Sequence, residues 1–513
     1  MALGAFAELI WSYVDLNTIV VSFSVYWFTK FFVWQGYVFS KKNSPPGFFG
    51  FPFVDVMPYF IFGRETTLER FESNSKKYGP VIRYRRGAET MVVVTGVNAV
   101  REGFLNDDLL GRPRHPMQDL DEDNIFAKKS ILNIEGDLWR KQRRFSLIAL
   151  RDLGFGKTAI MEDRIQEEIR ELVERIETSE AAPYNIHSDL IESTGNNMNS
   201  LVFGGKFHEG DDKKKQVYRI MTDIIGASES LIKILFIPFA AKLMKKLGIG
   251  GIKVIQELSA KLENFMTEDI RSHAEDLDHK SPRDIVDHFL IEQEKDKDFT
   301  SMEDFAENRS LELVLGNAVA FFFAGSSTVR VTVEYLLHLM AQYPEVQRKV
   351  QAEIDEEVGQ SRVTWADSPR LPYTMAVIAE RHRYFTVAPT GVPRKVLRPT
   401  KLCGYDLEAN DQVIFNLDSV HFDPELFESP YDFKPERFID QNGALTNTEK
   451  VWAFSIGKRA CPGESLAVLE VFLYFATILQ NFTIEADGPV KFRPLRGIIA
   501  ETLPQELRFV RRV

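Results

Sequence analysis

Apolar residues recur at helical spacing through most of the chain and at strand spacing only near its two ends. Glu162 to Ile176 (EDRIQEEIRELVERI) sets apolar residues three and four apart with acids and bases between, the pattern of an amphipathic helix. Ser310 to Gln342 predicts a longer, more apolar helix, closed by Pro344. Ser465 to Leu479 is apolar enough for a buried helix. Val81 to Thr95 carries two β-branched runs, VIRYR and MVVVT, around Gly87 and predicts a hairpin. Leu402 to Asn416 reads as short strands, and from Asp137 onward helical patterns dominate. The expected fold class is mainly α with minor β. No fixed-period repeat or low-complexity tract interrupts it.

The amino terminus differs from the rest. Ile19 to Trp34 (IVVSFSVYWFTKFFVW) is broken by Lys30 alone among charged residues. Extended back to Leu9 it reaches about 25 residues, enough for a bilayer helix, although Asp15 falls inside it. No small-residue cleavage site follows. Lys30, Lys41 and Lys42 keep the following side cytoplasmic by the positive-inside rule. A buried amphipathic helix is the competing reading. Pro45-Pro46-Gly47 then stiffens the chain. The expected organisation is a membrane anchor over residues 1–40, a proline-rich hinge over 41–50 and one catalytic domain over 51–513. Leu231 to Gly251 is apolar and cationic; it fits a membrane surface and a core helix with surface lysines equally well.

Composition narrows the partners. Net charge is -11, which argues against nucleic acid. The 40 phenylalanines suggest a thick apolar interior. Two cysteines, Cys403 and Cys461, cannot build a disulfide framework, and a reducing compartment follows. Cys403 reads as a structural thiol. His273, His279 and His288 lack metal-ligand spacing and read as solvated.

Cys461 stands in a different setting, WAFSIGKRACPGESLA. Gly457 and Gly463 permit close backbone approach, and Pro462 leads into an apolar helix. A sulfur at a helix amino terminus near Lys458 and Arg459 is favoured as thiolate. Phe454, Gly457, Arg459, Cys461 and Gly463 match the cytochrome P450 signature position for position, and the chain resembles that superfamily from hinge to carboxyl end. The likeness is nearest to animal microsomal drug- and hormone-metabolising members. It implies the cytochrome P450 fold, with a long helix over haem and the cysteine loop beneath. It implies haem b (iron protoporphyrin IX) with Cys461 as the iron ligand. It assigns propionate binding to Arg459, to Trp139 and Arg143 in WRKQRRF, to Arg112 in GRPRHP and to Arg394 in VPRKV. It assigns a structural ion network to Glu380 and Arg383 in VIAERHRYF, with Arg437 of FKPERF.

The same resemblance exposes a departure. FFFAGSSTV (321–329) resembles the kink of the helix above haem, where Gly325 would leave room for dioxygen and Thr328 would bond the reacting group. The acid expected before that threonine is Ser327, a poor proton source, and Val329 follows. A monooxygenase using O2 and NADPH-derived electrons is the leading expectation. A haem-thiolate isomerase or dehydratase, or a haem-binding sensor, is the alternative. Pocket walls are expected from Ala320, Phe323, Ala324 and Thr328, from Val387 and Ala388, from Gly497 and Ile498, and from Ile125 to Leu132. The implied partners are NADPH–cytochrome P450 reductase, with room for cytochrome b5, docking on Arg140, Lys141, Arg144 and Lys458; membrane lipid; and a small lipophilic substrate. The implied location is the cytoplasmic face of the endoplasmic reticulum membrane. Leu407 to Asp411, also unlike relatives, is expected to affect local stability.

Overall fold

Helices begin and end where local chemistry dictates. The structure, a computed structural model, describes residues 21–29, 32–33, 43–47, 66–86, 89–114, 124–153, 159–205, 217, 220, 246, 252–295, 310–492, 495–496 and 499–512. Helix α1 (Thr67–Tyr78) starts on a capping box between Thr66 and Glu69 and stops at Gly79, whose φ is 103°. Strands β1 (Val81–Arg86) and β2 (Glu89–Thr95) pair antiparallel, as the β-branched runs predict. Helices α2 (Val97–Leu105), α3 (Ile125–Lys129), α4 (Gly136–Asp152), α5 (Ala159–Glu177), α6 (His187–Phe203), α7 (Ile252–Glu275) and α8 (Ile285–Lys295) follow. Helix α9 runs unbroken over Ser310–Gln342, and Pro344 ends it by opening α10 (Pro344–Glu357). Then come α11 (Pro372–Tyr384), β3 (Arg394–Lys395), β4 (Thr400–Leu402), β5 (Tyr405–Leu407), β6 (Gln412–Asn416), α12 (Asp418–His421) and α13 (Glu464–Asn481). β7 (Phe482–Glu485), β8 (Leu495–Arg496), β9 (Ala500–Glu501) and β10 (Arg508–Arg511) close the chain.

The main core forms around α9, against which α3, α6, α7 and α13 pack. Val331, Val333, Leu336, Leu337 and Leu339 are fully enclosed there. Among the described residues, α9 is the one helix apolar and long enough to cross a bilayer; 61% of that stretch is buried within the protein, so it is a core helix. A four-stranded sheet of order β1-β2-β6-β3 builds a second, smaller core from Val81, Val92, Val94, Val413 and Phe415. The β2–β6 pair is parallel, joining the front of the chain to the segment before Cys461. In the 407–411 turn Asp411 is buried, pairs with Arg83 and accepts the Glu408 amide at 3.0 Å.

Residues 21–29 and 32–33 are helical, with Val21, Phe23, Val25 and Val33 exposed. The remainder of the anchor, half of the hinge and nearly all of 231–251 lie outside the described residues, as do Gly497 and Ile498.

Candidate active site

The cysteine loop is shaped by its neighbours. Gly457 takes φ 80°, and a Cβ there would lie 2.6 Å from the Phe104 carbonyl, so the loop can lie on α2 only with glycine. The Cys461 amide donates to the Phe454 carbonyl at 2.9 Å, closing the turn. Trp452 donates its amide to His421 Nε2 at 2.9 Å, and the other ring nitrogen meets Thr386 Oγ1 at 2.8 Å. His421 is therefore the Nδ1–H tautomer, with both nitrogens used. Burial, then the Arg383 charge, pushes its pKa down to about 3. A lone histidine in a sequence gives no sign of this role; its partners come from α11 and the cysteine loop.

Cys461 lies just before α13. The side chain is accessible, yet enclosure by protein pushes the thiol up from its usual range, against the Gly463 amide and the Arg143 charge, which lower it. A sulfur both accessible and enclosed borders internal space. The electrostatic expectation needs correction. Lys458 turns outward to Asp107 at 2.6 Å, and Arg459 turns away to the Leu110 and Ile134 carbonyls, each at 2.9 Å. The cation acting on the sulfur is Arg143, whose Nη2 also donates to the Ala460 carbonyl at 2.7 Å.

Four arginines converge above the loop. Arg459 lies 3.8 Å over the Trp139 ring, and Arg143 6.0 Å from it. Arg112 donates to the Leu132, Val392 and Pro393 carbonyls, while Arg394 lies over the Phe104 ring at 4.7 Å. Burial depresses each guanidinium: Arg459 to about 8, Arg112 to about 9 and Arg394 to about 10, with Arg143 lowered as well. Repulsion within the group is the next cause for Arg459, Arg112 and Arg394. Among the described residues the acid acting on this group is Glu135, and it is committed to Lys395 at 2.7 Å and to the Arg112 amide. An arginine does not surrender its proton in a protein. The depressed values therefore measure an unpaid positive field, and a ligand carrying two carboxylates answers it.

Glu380, Arg383 and Arg437 come together at the end of α11. Arg383 clasps Glu380 through Nε at 2.7 Å and Nη2 at 2.8 Å, both side chains fully buried. Arg437 Nε stands 3.1 Å from Glu380 Oε2, and the Lys434 amide also donates to Glu380. Neighbouring Arg381, which the sequence reading passed over, is buried against the Val331 carbonyl and the Tyr335 and Phe385 rings. His382 meets the Phe454 ring at 5.1 Å.

On α9, Ala324 is exposed, and Phe323, Ser327 and Thr328 are half-buried. In a helix otherwise enclosed, that marks the face on internal space. Val387 and Ala388 are half-buried as well. Thr328 donates its hydroxyl to the Ala324 carbonyl at 2.8 Å. One assignment changes and another gains a neighbour. A Cβ on Gly325 would lie 2.2 Å from Met198 Sδ, so the missing side chain also makes room for the Met198 side chain of α6. Ala320 is 1% exposed and belongs to the core, because α3 packs on α9 near that turn. Ile131, of the segment expected beside the pocket, is tied to α9 by its amide on Asn317 Oδ1 at 2.7 Å.

The histidine group also differs from its reading. His273 is mostly buried, its Nδ1 3.0 Å from Asp287 and 3.3 Å from Asp284. Arg283 supplies the balancing charge, with Nε 2.7 Å from Asp287 and Nη1 2.9 Å from Asp276. His279 does stay exposed, paired with Glu294.

Comparison with known proteins bears on this arrangement. A family model described as Cytochrome P450 matches residues 45–509. Cytochrome P450 2J5 of Mus musculus is 33% identical over 488 residues, covering 94% of each chain. Cytochrome P450 2B4 of Oryctolagus cuniculus is 33% identical over 493 residues, covering 94% of this chain and 96% of its own. Cytochrome P450 2J2 of Homo sapiens is 32% identical over 495 residues, covering 96% and 95%.

Proposed function

The chain belongs to the cytochrome P450 family, and from that premise we propose a reading of its site residue by residue. It is a haem-thiolate monooxygenase, inserting one atom of dioxygen into a lipophilic small molecule. The isomerase, dehydratase and sensor alternatives are not favoured. Cys461 is the ligand to the iron of haem b. Arg112, Arg143, Arg394 and Arg459 hold the propionates, with Trp139 as the ring beneath two of them. The observation that carries this reading is the group of three buried arginines, Arg112, Arg394 and Arg459, with half-buried Arg143 and one committed acid, set beside an accessible cysteine at the start of α13.

Haem b on a thiolate supplies the oxidising chemistry, with O2 and NADPH-derived electrons as co-substrates. The chain does the rest. The Gly463 amide and Arg143 lower the thiol against the burial that raises it, and so favour the thiolate that the iron would bind. Phe454 and Gly457 fix the loop, while Glu380, Arg383 and Arg437 lock the core behind it. Ala324, Phe323, Val387 and Ala388 line an apolar pocket that orients the substrate and excludes water. Gly325 lets α9 and α6 approach. Thr328 and Ser327 stand at its reacting end and pass protons through water, since neither carries an acid.

NADPH–cytochrome P450 reductase, with cytochrome b5 as a second donor, docks on the exposed Arg140, Lys141, Arg144 and Lys458. The domain extends over 51–513 behind a hinge at 41–50. Residues 1–40 anchor it to the cytoplasmic face of the endoplasmic reticulum membrane, in keeping with the exposed apolar helix at 21–29. The ligand assignment is tested by the absorption spectrum of the reduced, carbon-monoxide-bound protein. Cys461→Ser is expected to abolish the thiolate band; a variant that keeps it sinks the assignment.

A further inference from the structure

Beyond Thr328, α9 carries a second set of charges. Arg330, Glu334 and His338 recur every four residues, share one helix face and are all buried. Arg330 donates Nη1 to Glu334 Oε2 at 3.0 Å and Nη2 to Glu501 Oε2. Glu334 also accepts from Thr502 Oγ1 at 2.7 Å and stands 3.1 Å from Nδ1 of His187, the first residue of α6. Burial pushes the Glu334 carboxyl up; His187, Thr502 and Arg330 outweigh it and hold it below its ordinary range. The carboxylate is therefore charged and bonded from α6, from α9 itself and from the end of β9.

Glu501 is the last residue of β9, whose partner strand is β8. Its neighbour Ala500 donates its amide to the Val387 carbonyl at 2.7 Å. Two adjacent residues of one strand thus bind two different segments, Glu501 to α9 and Ala500 to the stretch after α11. That makes β9 a spacer between Thr328's helix and the Val387–Ala388 wall. It is held by a backbone bond on Ala500 and by an ion pair from half-buried Glu501 to buried Arg330. A slip at this end takes Arg330 off one of its two carboxylate partners, leaving it on Glu334 alone, which opposes the slip.

We propose that Arg330 and Glu501 are positioning residues that set the gap between α9 and the Val387–Ala388 wall, and so the largest lipophile the cavity admits. The proposal rests on the reading of Val387 and Ala388 as pocket wall. Neither Arg330 nor Glu501 touches the reacting group.

The test titrates the haem-loaded protein with 1-alkylimidazoles of increasing chain length, following the optical shift of nitrogen coordination. Glu501→Gln keeps the length of the side chain and the Arg330–Glu334 bond but removes the outer charge, at the less enclosed end of the network. Arg330→Met removes the clamp outright; should it fail to load haem, Glu501→Gln decides alone. The parent is expected to bind short homologues and reject long ones at a sharp limit. In Glu501→Gln the limit moves to longer chains, with Kd for homologues beyond the parent limit falling by about fivefold or more and Kd for the shortest unchanged. An unmoved limit overturns the proposal. So does a uniform loss of affinity at every length, which marks general loosening. A parent that binds no homologue, or shows no limit, removes the pocket reading and takes the proposal with it.

Discussion

Replacing Arg459 by methionine should leave the haem-free protein nearly as stable as the parent but weaken the haem-loaded one. In the chain alone, Arg459 is depressed from 12.5 to about 8, first by burial and then by Arg112, Arg394 and Arg143. At 1.36 kcal/mol for each pKa unit, that is about 6 kcal/mol against the charged form. Against this stand the bonds to the Leu110 and Ile134 carbonyls, worth about 1.5–3 kcal/mol each for a charged donor. The two contributions nearly cancel, so the haem-free variant should unfold in denaturant within about 1–2 kcal/mol of the parent. With a propionate present the balance changes, because the charge gains a partner and the same substitution removes it. Losing a charge-assisted bond of about 1.5–3 kcal/mol should speed haem loss by about ten- to a hundredfold. Transfer of haem to excess apomyoglobin, followed in the Soret band, measures that rate. Haem loss no faster than in the parent would refute the propionate role. A haem-free variant destabilised as strongly as the loaded one would show that Arg459 serves the fold alone.

Acid should unfold the protein through two enclosed histidines. His382 and His421 are each pushed from 6.5 to about 3, chiefly by burial and then by the neighbouring arginines. The unfolded chain takes up protons as pH falls below 6.5 and the folded chain does not, so stability present at neutral pH is lost downward from there. The slope should reach about 1.4 kcal/mol per pH unit for each histidine. His421→Gln should flatten the pH 4–6 stability curve by about one proton, and an unchanged slope would count against the burial account. Ser327→Asp should raise the product formed per NADPH and lower peroxide release; unchanged leakage would show that proton supply at 327 does not limit turnover.

The helices were legible because their signals are local. Pro344 ends α9 and opens α10, and the β-branched runs about Gly87 pair as a hairpin. The chemistry was legible where it is spelled in a contiguous loop, as from Phe454 to Gly463. What escaped depends on the other side of a contact. Arg459 sits two residues from Cys461, so sequence distance placed it at the sulfur; the loop turns it toward Leu110 and Ile134, and Arg143 from α4 takes that place. That Gly325 also accommodates Met198 of α6 has no sign in the sequence around it. Arg330 and Glu334 read as an ordinary i,i+4 pair; Glu501 and His187, far away along the chain, turn them into a network. His421 and Arg381 carry no local signal, since burial decides what each does.

The most direct test of the central claim is reconstitution with reductase, NADPH and isotopically labelled dioxygen across a panel of lipophiles, read by mass spectrometry. The account predicts one labelled oxygen atom in a product, lost in Cys461→Ser. Product that forms without label or without NADPH, from a protein whose thiolate spectrum is intact, would contradict it.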